Sequence, residues 1–345
     1  MRGEPVQLAP ASSPADNPMK GLVPYAQKGR SHFPHSLEFG YIPLAAVMKG
    51  TDTFEWAALE NLLNSVAERG HHAIFRVWLE YPGKTGGIPE FLIQEGLHVT
   101  EWNRDTTQRS VTPDYGDERL ITALERFISA LGRKYDGDAR IGYITAGLLG
   151  SWGEWHTHPR EDLAAPTPTQ LRVLDAYQRA FTKTPVLLRY PVGDGSQKFT
   201  ANAARPFGYH DDSFAWGTID DRSGRSESWV YMAMLRAAGP VALEKWRTHP
   251  IGGEIRPEAW GIVFDERPTH PKVQDFAECV RQTHVTWLMD SGMFREGNSP
   301  ERQQRAIEQV RRLGYDFYVR SADITRNGSN LQVNLAVVNQ GVAPF

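Results

Sequence analysis

Two stretches of this chain carry carboxylates in settings suited to acid–base work. In Gly150-Ser151-Trp152-Gly153-Glu154-Trp155-His156 a glutamate lies between tryptophans just after an apolar run, where a raised pKa and a flat surface for a sugar ring would coincide. In Ile251-Gly252-Gly253-Glu254 two glycines precede the carboxylate, allowing close backbone approach and a tight bend. Two carboxyls flanking a glycosidic bond hydrolyse it, one donating a proton and the other acting as nucleophile or base. A separation of about 5 to 5.5 Å implies retention of anomeric configuration, and about 6.5 to 9.5 Å inversion. Glu154 is the expected acid/base and Glu254 the expected nucleophile. The competing readings are a salt-bridged Glu154 among packed tryptophans and a solvated Glu254 in a glycine-rich turn.

Other side chains fit around this pair. Arg76, in Phe75-Arg76-Val77-Trp78, and Arg189, beside Tyr190, are charges in apolar runs. They would hold a carboxylate ionised or bind a sugar hydroxyl, or else serve as structural ion-pair partners. His210, Asp211 and Asp212 are expected to orient substrate, with an ordinary Asp turn as the alternative. Trp78, Tyr81, Trp102, Trp152, Trp155, Trp216 and Trp260, with His156, are the expected lining of a glycan cleft, though some rings must be core, Trp78 and Trp287 first among them. Asp265-Glu266 is a rival carboxylate pair, but Arg267-Pro268 follows at once and favours a salt-bridged loop. His156 and His158 match no zinc-ligand spacing, and no metal or organic cofactor is expected. No Gly-x-Ser-x-Gly elbow, phosphate loop or dinucleotide fingerprint occurs.

Such residues need a rigid frame, and the sequence supplies one. Short apolar or β-branched runs alternate with helix-period segments, the pattern of βα units round a parallel sheet. The expected strands are Gly21 to Tyr25, Leu37 to Pro43, Ala73 to Leu79, Ile141 to Leu148, Val186 to Tyr190, Phe207 to His210, Pro250 to Glu254 and Val285 to Met289. Asp117 to Lys134 shows the clearest helical stripe, through Leu120, Leu124, Phe127, Ile128 and Leu131. The prediction is a (β/α)8 TIM barrel over residues 18–314, with long loops at Glu80 to Tyr115 and Asp211 to Ser228 on the face where such barrels carry their sites. Counting Gly21 to Tyr25 as the first strand puts Glu154 after the fourth and Glu254 at the seventh. Were Phe317 to Ile324 the eighth strand instead, these would be the third and sixth. Retaining glycosidases on such barrels carry acid/base and nucleophile at the ends of strands four and seven, so retention is expected on that ground.

Composition sets the outer limits. The chain of 345 residues has 38 basic against 41 acidic residues, a net charge of -3, and no basic run, so nucleic acid and anionic membrane are not expected partners. A neutral small molecule or glycan fits better. No apolar stretch approaches the ~18 residues of a membrane span. Cys279 is the single cysteine, which excludes an intrachain disulfide. Residues 1–17, rich in Pro, Ala and Ser without a signal-peptide pattern, read as a flexible leader. Residues 315–345 alternate apolar and polar side chains round Asn327-Gly328, and are expected to be either the start of a small antiparallel β-sandwich cut short or a hairpin docked on the barrel.

Several landmarks resemble one family. Asn17-Pro18-Met19-Lys20-Gly21-Leu22, Leu37-Glu38-Phe39-Gly40-Tyr41-Ile42-Pro43-Leu44, Gly147-Leu148-Leu149 running into the Glu154 segment, Pro250-Ile251-Gly252-Gly253-Glu254 and Asn339-Gln340-Gly341-Val342-Ala343-Pro344 are similar to those of the domain of unknown function 4832 family. The resemblance implies a glycoside-hydrolase-like barrel followed by a small β-sandwich, in a bacterial extracytoplasmic or secreted protein. It does not name a substrate. A carbohydrate-hydrolysing enzyme is the leading expectation, and a non-catalytic glycan-binding or scaffold barrel the alternative. Sugar, linkage and oligomeric state are not legible.

Overall fold

Runs too short and too uniformly apolar for surface strands must be covered on both sides, and a closed parallel barrel does this. The computed structural model describes residues 5–11, 13–26, 33–105, 108–189, 200–220 and 229–345. Its eight barrel strands are β1 Gly21–Val23, β2 Leu37–Pro43, β3 His72–Trp78, β4 Ile141–Thr145, β5 Val186–Leu188, β6 Gly208–Phe214, β7 Ile251–Ile255 and β8 Trp287–Met289. They form one parallel sheet in the order β1-β8-β7-β6-β5-β4-β3-β2. The sheet closes on itself where Tyr25 bridges Phe39, with the Phe39 N–H donating to Pro24 O at 2.8 Å. The expected barrel is therefore correct, and the C-terminal hairpin is not one of its strands.

Side chains alternate along each strand, so residues two apart share the interior. Val23, Leu37, Phe39, Ile74, Tyr143, Leu187, Trp287 and Met289 pack together there, with Tyr25 and Tyr41 against them. One step further along, Arg76, Thr145, Arg189, Asp212 and Glu254 share this parity at the C-terminal mouth. The apolar floor under a polar rim is thus written into a period of two.

An outer ring of helices covers the sheet: α1 Ala57–Ala67, α2 Glu118–Tyr135, α3 Thr167–Ala180, α4 Tyr231–Ala238, α5 Phe276–Thr283 and α6 Pro300–Val310. In α2 the Asp117 carboxylate caps the first turn by accepting from the Arg119 N–H at 2.8 Å, and the Leu120, Leu124, Phe127, Ile128 and Leu131 stripe is wholly buried.

Two expectations are corrected. Residues 80–115 are not irregular: they hold a helix at Glu90–Gln94 and an antiparallel ribbon of Val99–Asn103 against Arg109–Pro113. Nor is the leader free over its described part, since Val6–Gln7 pairs antiparallel with the first strand of the C-terminal hairpin and Ala15 is buried. Two residues of strand are too few to show a period, so sequence patterning misses them. That hairpin, β9 Phe317–Asn327 and β10 Asn330–Asn339, leaves Ile324, Leu331, Val333, Leu335 and Val337 exposed.

Candidate active site

Glu154 sits in a tight loop just beyond β4. Leu148, Trp152 and Trp155 all have positive φ, at 74°, 54° and 63°, conformations that cost a non-glycine residue on the order of 1–2 kcal/mol each. The surroundings hold the loop in this shape. Trp152 N–H donates to Glu80 O at 2.9 Å and Ser151 N–H to His156 O at 2.8 Å, while Gly150 N–H donates to Tyr115 Oη at 2.8 Å. A Cβ on Gly150 would lie 2.4 Å from His156 O, so glycine is required there. The buried Glu80 carboxylate accepts from Ser151 Oγ and Thr112 Oγ1, each at 2.7 Å, and so clamps the loop to the ribbon.

Glu254 comes from β7, where the glycines do what their spacing suggests. A Cβ on Gly252 would lie 2.2 Å from the Trp287 ring, so only glycine lets β7 and β8 register with Gly252 opposite Trp287. Two residues on, Glu254 faces the mouth, buried, with no hydrogen bond or ion pair among the described residues.

The two carboxyls are held differently. Glu154 forms an ion pair with buried Arg76, Nη1 to Oε1 at 3.0 Å, and Arg76 also reaches Thr145 Oγ1 at 3.1 Å and Tyr41 Oη at 3.4 Å. Burial above all, then the negative charge of Glu154, pushes the Glu254 carboxyl up to about 8, against the pull of Arg76. Glu254 is therefore protonated at neutral pH, beside the Glu154 carboxylate that Arg76 holds.

The rest of the mouth is shaped by β5 and β6. Asp212 pairs with Arg189, Oδ2 to Nε at 2.9 Å, and burial raises its carboxyl to about 6, opposed by Arg189 and assisted by the charge of Glu154 and a hydrogen bond to it. Arg189 Nη1 also donates to Glu154 O at 3.3 Å. His156 is driven down to about 3, first by burial and next by Arg189, so its ring is neutral. Its Nδ1 accepts from the His158 N–H at 3.3 Å, which leaves Nε2–H to face Glu154 Oε2 at 3.4 Å. Glu154, His156 and Asp212 offer ligand atoms within 4.8 Å of one another.

Not every expected residue joins this group. Asp211 points outward, accepting from Thr218 Oγ1 at 2.7 Å and from the Ser213 N–H at 3.0 Å; neighbours on one strand face opposite ways, so His210 and Asp211 cannot both enter the barrel. His210 lies beneath the site, fully buried against Trp287. Trp78 is packed against Tyr81, and Trp155 leans on the core with its indole N–H on Ala146 O at 2.9 Å. Trp216, in the loop after β6, packs tilted against His270, and Trp260, in the loop after β7, lies under Arg295. His158 is exposed and pairs with Glu161. Asp265 pairs with Arg302 at 2.7 Å, the salt-bridged role expected for that segment. Tyr190 lies outside the described residues. Sequence reasoning missed Glu80, Arg104, Tyr25 and Tyr41; the last two could have been found by extending the period-two pattern of β1 and β2 to the mouth.

The comparison with solved structures agrees on the fold, a parallel eight-stranded barrel. The catalytic domain of a β-amylase from Paenibacillus polymyxa superposes with a TM-score of 0.52 at 8% identity, over 80% of this chain and 91% of its own. A GH5_18 protein from Streptomyces cattleya, in complex with GlcNAc, gives 0.49 at 16% identity, over 81% and 71%. A family 39 glycoside hydrolase from Bacteroides cellulosilyticus gives 0.46 at 9%, over 86% and 64%. No family model matches the chain, and no curated protein does. Among the described residues no helix is long and apolar enough to cross a membrane.

Proposed function

We propose that this protein hydrolyses an O-glycosidic bond of a glycan with Glu154 and Glu254 as the two carboxyls. The observation that carries the reading is the coupling at the barrel mouth, where Arg76 pairs with Glu154 while Glu254 keeps its proton. Glycoside hydrolysis needs one protonated and one ionised carboxyl. On this reading the Arg76 ion pair, which favours a charged Glu154, gives Glu154 the nucleophile role and Glu254 the donor role, opposite to the roles that strand order suggests. Glu254 gives its proton to the leaving oxygen as Glu154 bonds to the anomeric carbon. Glu254, now a carboxylate, then takes a proton from the water that displaces Glu154, so configuration is retained and both carboxyls return to their starting states. The extracytoplasmic setting and membership of the domain of unknown function 4832 family belong to this proposal and rest on the landmark resemblance alone.

The test is a set of aryl glycosides with good and poor leaving groups, assayed on wild type, Glu154→Ala and Glu254→Ala with and without azide. Glu254→Ala should keep its rate on the good leaving groups, and Glu154→Ala should regain rate through a glycosyl azide. The reverse pattern would exchange the roles. Hydrolysis unaffected by either substitution would remove both from the chemistry, and binding without hydrolysis would favour a non-catalytic glycan-binding barrel.

One observation favours a second reading. Neutral His156 with Glu154 and Asp212 makes a donor set suited to a divalent cation. Arg76 and Arg189 already neutralise those carboxylates, which opposes it. A thermal shift with Zn²⁺ or Mn²⁺ that His156→Ala abolishes would support the metal.

A further inference from the structure

The aromatic rings round the mouth are not bare. In the loops beyond the C-terminal ends of the strands, the Arg104 guanidinium lies 4.6 Å over the Trp152 ring and Lys84 Nζ 3.8 Å over Tyr81. Further round the same face, Lys272 is 5.9 Å over Trp216 and Arg295 5.6 Å over Trp260. A ring covered by a cation offers less face for stacking a neutral sugar, and the cation offers donors instead.

Arg104 is the most telling of the four. It feels the charges of Glu154, Glu80 and Asp105, yet its guanidinium forms no ion pair among the described residues, and its buried Nη1 has no hydrogen-bond partner. The nearby acids are otherwise engaged: Glu154 with Arg76, Glu80 with Ser151 and Thr112, and Asp105 with the Gln108 N–H. A half-buried guanidinium with an idle donor is costly unless something fills it. Its planar fork matches a carboxylate or sulfate.

We propose that the cleft takes a glycan bearing carboxylate or sulfate groups, with Arg104, stacked on Trp152, binding one such group beside the scissile bond. This deepens the hydrolase reading and rests on it for the words "scissile bond". The net charge of -3 does not report this local preference, which rests on the cations set over the rings at the mouth.

The experiment titrates the intact chain by calorimetry with oligogalacturonate and its carboxyl-reduced form, and with chondroitin sulfate oligosaccharides and their carboxyl-reduced, desulfated and doubly neutralised forms, at low and high salt. Reducing ends are counted in the same samples. Binding of either anionic series should weaken about tenfold in Arg104→Gln and less in Arg104→Lys, and should fall with salt. The remote Arg126→Gln, on the surface of α2 beside Asp52, should leave it unchanged. Loss of binding on carboxyl reduction identifies carboxylate as the group, and loss on desulfation identifies sulfate. Equal binding or cleavage of the neutralised forms, failure of every anionic glycan to bind, or indifference to Arg104→Gln in a variant that melts like wild type, would overturn the proposal. Anionic binding without new reducing ends would leave it standing and remove the hydrolase reading.

Discussion

If Glu254 holds its proton because of burial and the charge of Glu154, the two must be coupled in a pH-dependent way. A rise from 4.5 to about 8 corresponds to roughly 5 kcal/mol at about 1.36 kcal/mol per pH unit. The unfolded chain loses this proton near pH 4.5 and the folded one near 8. The resulting penalty is absent below about pH 4.5, grows between the two values and is complete above about pH 8. Two ionised carboxyls about 5 to 9.5 Å apart, the spacing glycosidases use, repel by about 2 to 3 kcal/mol at an effective dielectric constant of about 20. Urea unfolding of wild type, Glu154→Gln, Glu254→Gln and the double variant forms a cycle in which groups uncoupled from the pair cancel. The cycle should give a repulsive coupling of that size at pH 9 and nearly none at pH 5, where Glu254 is neutral. An equal coupling at both pH values, or none at either, would refute the shared field and with it the choice of these two residues.

Four further outcomes follow from the same geometry. Hydrolysis should fall about tenfold per pH unit above about pH 8 as Glu254 loses its proton, readable in the alkaline limb of kcat/KM. Asp212→Asn should cut kcat by about ten- to a hundredfold by freeing Arg189 and Glu154 from their partner, whereas Asp211→Asn should leave kcat intact and lower stability by about 1–3 kcal/mol. Gly252→Ala should destabilise by about 1–3 kcal/mol through overlap with Trp287, measured by thermal melting, and a neutral result would mean the β7–β8 register is wrong. Val333→Lys with Val337→Lys, on the exposed hairpin, should raise solubility without lowering Tm.

Much of the frame was legible because a buried parallel strand and an amphipathic helix leave unlike patterns. All eight barrel strands were found from apolar runs, and the glycines before Glu254 pointed to the close approach that Trp287 imposes. Residues that act across the sheet were harder to see. His210, Asp211 and Asp212 read as one polar cluster until alternation sorts them, sending Asp211 to Thr218 and Asp212 to Arg189. Glu80 is silent in sequence because its partners Thr112 and Ser151 lie on separate loops. The division of charge between Glu154 and Glu254 depends on Arg76 reaching one carboxylate, a matter of side-chain reach that spacing along the chain does not encode.

The pairing of Val6–Gln7 with Ala322 and Ser321, and the closure of the barrel by β1 between β8 and β2, bear on how the chain is made. Val6 leaves the ribosome 316 residues ahead of its partner Ala322. At about 5–20 residues per second, that delay is roughly a quarter of a minute to a minute. Until β8 is made, the nascent sheet carries open edges at β1 and at the last strand synthesised, and the wall bearing Glu254 and Trp287 is not yet built. Synthesis thus separates the two carboxyls in time, and an incomplete chain exposes strand edges well before it has a mouth to bind anything.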